Sequence, residues 1–331
     1  MKKITLILSL FIVISCSQEN KNELTIYTSR QPQLLEPITE AFTKDTGIKI
    51  SLLSGNAQEL MERIEVEGNA SKADIFMTVD AGVLWQASER NIFEELNSDV
   101  LRKNIPAHLR DPNNQWFGLS KRARTIVFST DQADEKDFST YEDLAEPKWK
   151  GKLCLRTSKK VYNRSLISSM INQHGYENTK TIVSGWINNL ATEVFSNDTN
   201  ALKAVSSGQC AVTVVNTYYL ARLISDPQYS NLKIFWANQN DRGVHVNITG
   251  AGVVKTSKNK ANAQLLLEYL SSETAQELYA SLNKEYPVLV DTPIDKSIID
   301  WGEFSEDLLN VSILGILQKE SVVLAREAGY K

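Results

Sequence analysis

Histidine is scarce in this chain: His108, His174 and His245 are the only three in 331 residues, and no two have the i, i+4 or short-loop spacing of a metal pair. That scarcity excludes the usual zinc sites, which need clustered imidazoles or thiolates. It also argues against hydrolysis, because a Ser or Cys nucleophile needs a nearby base. No G-x-S-x-G elbow occurs. The S-x-x-K match from Ser257 to Lys260 lies in a polar, lysine-rich stretch without companion motifs and reads as a solvated loop. An excess of basic charge is lacking as well. With 36 Lys and Arg against 40 Asp and Glu the formal net charge is −4, which leaves no electrostatic footprint for nucleic acid. Beyond the first residues, no run is long and apolar enough to span a bilayer.

Cysteine is as rare as histidine, and the first of the three has a special place. Lys2 and Lys3 precede an apolar stretch from Ile4 to Ile14 that ends in Val13-Ile14-Ser15-Cys16, the layout of a secretory signal closed by a lipoprotein cleavage site. Residues 1–15 are therefore expected to be removed, Cys16 to be lipidated, and residues 16–22 to form a short polar tether. A transmembrane helix is the alternative. The stretch is too short for about 30 Å of hydrocarbon, and it carries Thr5 and Ser9. The working part is then expected in the periplasm or cell envelope, held to a membrane by lipid, and losing Lys2 and Lys3 takes its charge from −4 to −6. Cys154 and Cys210 remain, each in a predicted strand and exposed to an oxidising compartment, so a disulfide between them is expected. Two buried thiols acting as small hydrophobes are the alternative.

What is present is alternation. With 42% hydrophobic residues the chain can bury a sizeable core and is long enough for two lobes. Leu24 to Tyr27 reads as a strand, Leu34 to Thr43 as a helix stopped by Gly47, and Ile48 to Leu53 as the next strand. A helix from Ala57 to Glu67, the strand Ala73 to Phe76 and a helix from Ala81 to Glu89 continue the pattern. A second run follows: strand Lys152 to Arg156, helix Tyr162 to Asn172, short helix Ala201 to Ser206, strand Cys210 to Val215. Such order predicts an α/β protein with a mostly parallel sheet flanked by helices, which binds ligands at the carboxyl ends of its strands.

Tyrosines stand at those ends. Tyr218 and Tyr219 follow the apolar strand Ala211 to Val215, and Tyr162 opens a helix after Arg156. A phenolate is a hard anionic oxygen donor, and ligand type selects the metal, so this set points to ferric iron. The plainer reading is that Tyr often sits at a strand end with its ring buried and its hydroxyl wet.

The segments Leu24 to Arg30 (LTIYTSR), Ala73 to Trp85 (ADIFMTVDAGVLW), Gly118 to Phe128 (GLSKRARTIVF), Pro147 to Leu153 (PKWKGKL), Ser196 to Leu202 (SNDTNAL), Val215 to Ala221 (VNTYYLA) and Val246 to Gly252 (VNITGAG) together resemble the periplasmic ferric-ion-binding proteins of ABC importers. The resemblance covers nearly all of the mature length. It implies a two-lobe type II periplasmic-binding-protein fold with a two-strand hinge. Residues 23–123 and 249–299 would form the N-terminal lobe, and 124–248 and 300–331 the C-terminal lobe. It implies Fe3+ as cargo held by Tyr162, Tyr218 and Tyr219, no enzymatic activity, and a monomer that delivers to a permease and its ATPase.

The first loop departs from the family's commonest pattern, with Gln31 and Pro32 where many members place a His, or a His and a Tyr. Asp80 stands where others carry a Glu ligand. The chain thus resembles the three-tyrosine subgroup, in which carbonate fills coordination positions. Arg122 is the first expected holder of that anion and Arg124 the second, with Arg30 and Gln31 as lesser candidates. A guanidinium can grip a planar oxyanion with two parallel hydrogen bonds. The alternatives are the same fold binding a small organic anion or polyamine, or an exported envelope enzyme.

Overall fold

In the computed structural model, which describes residues 22–331, the alternation read from the sequence becomes a mixed sheet wrapped by helices. Cys16 and the leader lie outside the described residues. The first lobe opens with β1 (Glu23–Thr28), α1 (Glu36–Thr46), β2 (Lys49–Ser54), α2 (Ala57–Glu67), β3 (Ile75–Thr78), α3 (Ala81–Glu89) and α4 (Asp99–Asn104). Local signals set these bounds. Gly47 ends α1 in the left-handed region at φ +74, where a Cβ would be strained. The Asn56 side chain caps α2 by accepting from the Gln58 and Glu59 amides, and Asp80 caps α3 through the Val83 amide.

The long strand β4 (Phe117–Ser129) then leads into β5 (Leu153–Cys154), α5 (Val161–His174), α6 (Tyr176–Asn188), α7 (Asp198–Ser206), β6 (Val212–Asn216), α8 (Thr217–Ala221) and β7 (Leu232–Phe235). β8 (Val246–Val253) returns to the first lobe and precedes α9 (Lys260–Leu270), α10 (Glu273–Asn283), α11 (Lys296–Ile299), α12 (Ser312–Ile316) and α13 (Gln318–Glu327).

The expected parallel pairing holds for β1 with β2 and β3, and for β5 with β6. The strands that pass between lobes run antiparallel. β4 pairs with β8 from Phe117 to Ala123, then with β6 from Arg124 to Phe128, so one strand serves both lobes. Its ladder to β8 contains a bulge: Gly118 faces Gly250 and Ser120 faces Thr249, which leaves Leu119 as an extra residue. The change of partner at Ala123 and Arg124 makes β4 and β8 the crossing ribbon.

Two main apolar cores flank that ribbon. One joins Leu24 to Leu119 with Val246 to Val288, and the other joins Ile126 to Ala237 with Leu324 to Tyr330. Val311 and Leu314 belong to the first core. The segment 300–331 is therefore shared, where the sequence reading gave it wholly to the second lobe, because α12 packs on α3 as well as α5 before α13 crosses to α5 and α6.

Cys154 and Cys210 form a disulfide with Cα atoms 5.9 Å apart, tying the end of β5 to the residues before β6. These two strands lead to all three tyrosines. Closing 56 residues of sequence removes chain entropy from the unfolded state, so Cys154→Ser is expected to lower stability by about 2–5 kcal/mol. A urea unfolding curve of the oxidised protein beside the variant measures this, and coincident midpoints would contradict it.

Candidate metal centre

The tyrosines converge because two strand ends open on the same edge. Tyr162 lies in the first turn of α5, while Tyr218 and Tyr219 lie in the short helix α8 directly after β6. The Tyr218 hydroxyl donates to the Tyr162 hydroxyl at 3.5 Å, and Asn216 Nδ2 donates to Tyr218 at 3.5 Å. The Tyr218 and Tyr219 rings pack with centroids 4.3 Å apart. Tyr218 is buried and the other two are half-buried.

Burial raises the Tyr218 phenol well above its ordinary value, and Tyr162 and Tyr219 push it the same way against the opposing field of Arg122. Burial also raises Tyr162, again opposed by Arg122. Both are thus neutral phenols at neutral pH until a stronger acid than the proton replaces it.

Guanidinium groups surround the phenols. Arg122 stands 5.7 Å and Arg156 5.0 Å from the Tyr162 ring, and Arg222 stands 4.9 Å from that of Tyr218. Arg122 is buried and donates through Nη2 to the Val79 and Ile248 carbonyls at 2.7 and 2.6 Å. Its Nε is buried without a protein partner, as is that of Arg156. A buried donor left unpaired is costly, so these nitrogens suit an anion.

The other sequence candidates are engaged elsewhere. Arg124 spends every nitrogen on protein: Nε and Nη2 donate to Asn163 Oδ1 at 3.1 and 2.6 Å, Nη2 to the Val214 carbonyl, and Nη1 to Asp198 and Asn216. It has no donor left for an anion. Two residues apart on one strand does not give Arg122 and Arg124 the same surroundings, because β4 changes partner between them. Arg30 forms a two-point pair with Glu285 at 3.1 and 3.2 Å and donates to Thr249 at 2.7 Å. Gln31 is exposed and accepts from Gln33. Of the Arg30 nitrogens Nε is buried without a protein partner, while Nη1 and Nη2 are held by Glu285 and Thr249. Asp80 serves as a cap, and its Oδ2 also accepts from Ser165 at 2.8 Å and Asn247 at 2.9 Å.

Sequence reading missed Arg156, Asn216 and Asp198. Arg156 lies two residues past β5, and no local signal marks it. Its Nη1 donates to Asp198 at 3.3 Å, and Tyr219 adds to the favourable field on it. Asp198 is fully buried between Arg124 and Arg156. Beside Tyr162 lies a cavity of about 410 Å³ that touches Asn56 and Asp80 of the first lobe, and its second-lobe wall carries Arg156, Lys159, Lys160 and Arg164.

The histidines take structural roles. His108 pairs with Glu306 at 3.0 Å and His174 with Glu142 at 2.8 Å. His245 is buried, and burial with the nearby Arg124 and Arg242 pushes its pKa down to about 3. Among the described residues no group of three His, Cys, Asp or Glu could hold a metal ion. Ser257, expected in a solvated loop, is instead buried and donates to Asp74 at 2.6 Å.

The family model described as bacterial extracellular solute-binding protein matches residues 70–305. Iron uptake protein A1 of Synechocystis is 42% identical over 317 residues, covering 94% of this chain and 88% of that protein. A Trichodesmium protein solved in complex with iron and citrate ligands is 42% identical, with a TM-score of 0.90 over 93% of this chain and all of that one. The ferric iron-binding protein A of Mannheimia haemolytica, solved in an open conformation, is 38% identical, with a TM-score of 0.86 over 93% of this chain and 99% of that one.

Proposed function

We propose that this chain, which belongs to the bacterial extracellular solute-binding protein family, captures ferric iron with the phenolates of Tyr162, Tyr218 and Tyr219. The observation that carries this reading is the meeting of two phenol oxygens at 3.5 Å, with a third ring packed against them and a buried, unclaimed Arg122 Nε alongside. Three phenolates neutralise one Fe3+. Carbonate then adds negative charge, which Arg122 offsets while donating to it, and Arg156 completes the balance beside Tyr219. Iron uptake relatives of high identity support the cargo.

The protein acts by binding, not by turnover. Cys16 is its lipid anchor at the cell envelope, and the chain works as a monomer that hands its iron to a permease coupled to an ATPase. The crossing ribbon of β4 and β8 is the hinge, so that ligands from both lobes bias the closed state. A polyamine is disfavoured by the arginines around the phenols. An organic anion finds support in the cation-lined cavity of about 410 Å³, which has room for a polycarboxylate that travels with the iron.

Titration of the purified full chain with a ferric salt, followed by its visible spectrum with and without bicarbonate, tests the reading. A phenolate-to-iron charge-transfer band is expected, strengthened by bicarbonate. Arg122→Gln should keep the band and lose the bicarbonate effect, weakening binding by roughly tenfold to a hundredfold, as for a lost hydrogen bond to a charged group. A folded protein without any band would move the assignment to an organic solute.

A further inference from the structure

Tyr162 reaches Tyr218 from the first turn of α5, which follows a loop that the sheet barely holds. β5 contributes only Leu153 and Cys154 to the ladder, and past it Leu155 to Thr157 lean on Phe195 by a single bridge and two amide bonds of 2.9 and 2.8 Å. The other side of the loop is held by residues that follow α13. The buried Tyr330 hydroxyl donates to the Arg156 carbonyl at 2.6 Å and accepts from Asn163 Nδ2 at 2.7 Å. The Tyr330 carbonyl accepts from Ser158 Oγ at 2.8 Å, and the Lys331 carbonyl accepts from the Ser158 amide at 2.8 Å. Asn163 in turn donates to the Arg156 carbonyl and accepts from Arg124. Tyr330 therefore grips the chain on both sides of Tyr162, at Arg156 and at Asn163.

The same helix touches the first lobe at its other end. Gln318, the first residue of α13, donates to Asp80 at 3.4 Å and accepts from Gln86 of α3. Ten residues of helix span about 15 Å, so the first-lobe contact and the Tyr162 loop are joined by one rigid element.

We propose that Tyr330 is a positioning residue for the cargo site: its hydroxyl fixes the Arg156 to Asn163 loop so that the Tyr162 oxygen meets that of Tyr218. This rests on the ferric reading given above. Phe at position 330 fills the same space and removes both hydroxyl bonds, so the loop gains freedom while the apolar contacts stay. The expected loss of ferric affinity is about tenfold, the lower end of the range for removing an outer partner of a metal ligand.

The test compares Tyr330→Phe with Tyr176→Phe in the full chain purified in detergent. Tyr176 also bonds to the α13 segment, through Glu327 at 3.1 Å, and its hydroxyl bonds to that carboxylate rather than to the loop. Ferric titration with bicarbonate reads the charge-transfer band, an acid titration reads the midpoint of iron release, and thermal unfolding reads the fold. Tyr330→Phe should shift the band and weaken binding about tenfold. It should also raise the release midpoint by about 0.3 pH unit if three protons accompany each iron. Tyr176→Phe should leave all three near the parent values. A Tyr330→Phe protein with unchanged band and midpoint overturns the proposal, whatever its unfolding temperature. Should that variant fail to fold, Ser158→Ala, which removes the Ser158 bond to Tyr330, must show the same displacement or the proposal falls. A parent protein without any band overturns the ferric reading itself and this proposal with it.

Discussion

Tyr218→Phe is expected to weaken and shift the visible phenolate-to-iron band, which Tyr162 and Tyr219 then carry alone, and to weaken ferric binding by more than about 100-fold. Loss of an outer partner of a ligand costs about 10–100-fold, and this change removes the ligand atom itself. Tyr218 is the central one of the three: its oxygen touches Tyr162, its ring packs on Tyr219, and Asn216 holds it from the strand end. The substitution preserves the ring, so the contacts with Tyr219 and Arg222 survive and the fold should too. An equilibrium competition against citrate, with circular dichroism as the check on folding, measures it. Unaltered affinity in a folded variant would rule out phenolate ligation at this position.

The second large effect is on pH. Burial holds Tyr162 and Tyr218 as neutral phenols in the empty site, so iron must displace their protons to bind. Each proton released makes the affinity rise tenfold per pH unit, and three tyrosines give up to about a thousandfold per unit. The sign is fixed by which state carries the proton: acid favours the phenol, and the phenol does not hold iron. Release should therefore increase steeply as pH falls from about 7.5 to about 5.5, at a fixed activity of free ferric ion. His245 takes no part, because its pKa lies down at about 3 and it stays neutral throughout. A release curve that is flat across that window, or has the slope of a single proton, would contradict a three-phenolate site.

Much of this was legible in the chain because strand ends and helix starts carry local signals. α2 and α3 fall at Ala57–Glu67 and Ala81–Glu89, where caps and glycines bracket a periodic apolar face. Tyr162, Tyr218 and Tyr219 stand out in the sequence since few side chains offer a hard anionic oxygen at a strand end, and the fold brings the Tyr162 and Tyr218 hydroxyls within 3.5 Å. Arg124 is claimed by protein partners for a reason that sequence hides, and Arg30 is claimed in part for the same one. Sequence shows a guanidinium but not the carboxylate that claims it, and Asp198 and Glu285 lie 74 and 255 residues away along the chain. Arg156 was passed over for the converse reason, since its value depends on Tyr219 and Tyr162 arriving from separate segments. The shared ownership of segment 300–331 was beyond periodicity, which tells which face of a helix is apolar but not which core receives it.

Leu119, the extra residue in the ladder of β4 with β8, has a consequence for how this protein can be edited. Side chains alternate across a sheet with a period of two, so a single unmatched residue decides the face on which every later one emerges. Arg122 lies three positions downstream. Deleting Leu119 itself would leave Gly118 opposite Gly250 and Arg122 opposite Asn247 in an unbroken ladder, whereas deleting Lys121 with the upstream pairing kept would put Arg122 opposite Ile248 and Ala123 opposite Asn247, turning the guanidinium to the other face. Point substitutions change one contact of this short ribbon at a time, whereas a frame slip would move Arg122 to the other face of the sheet at a stroke.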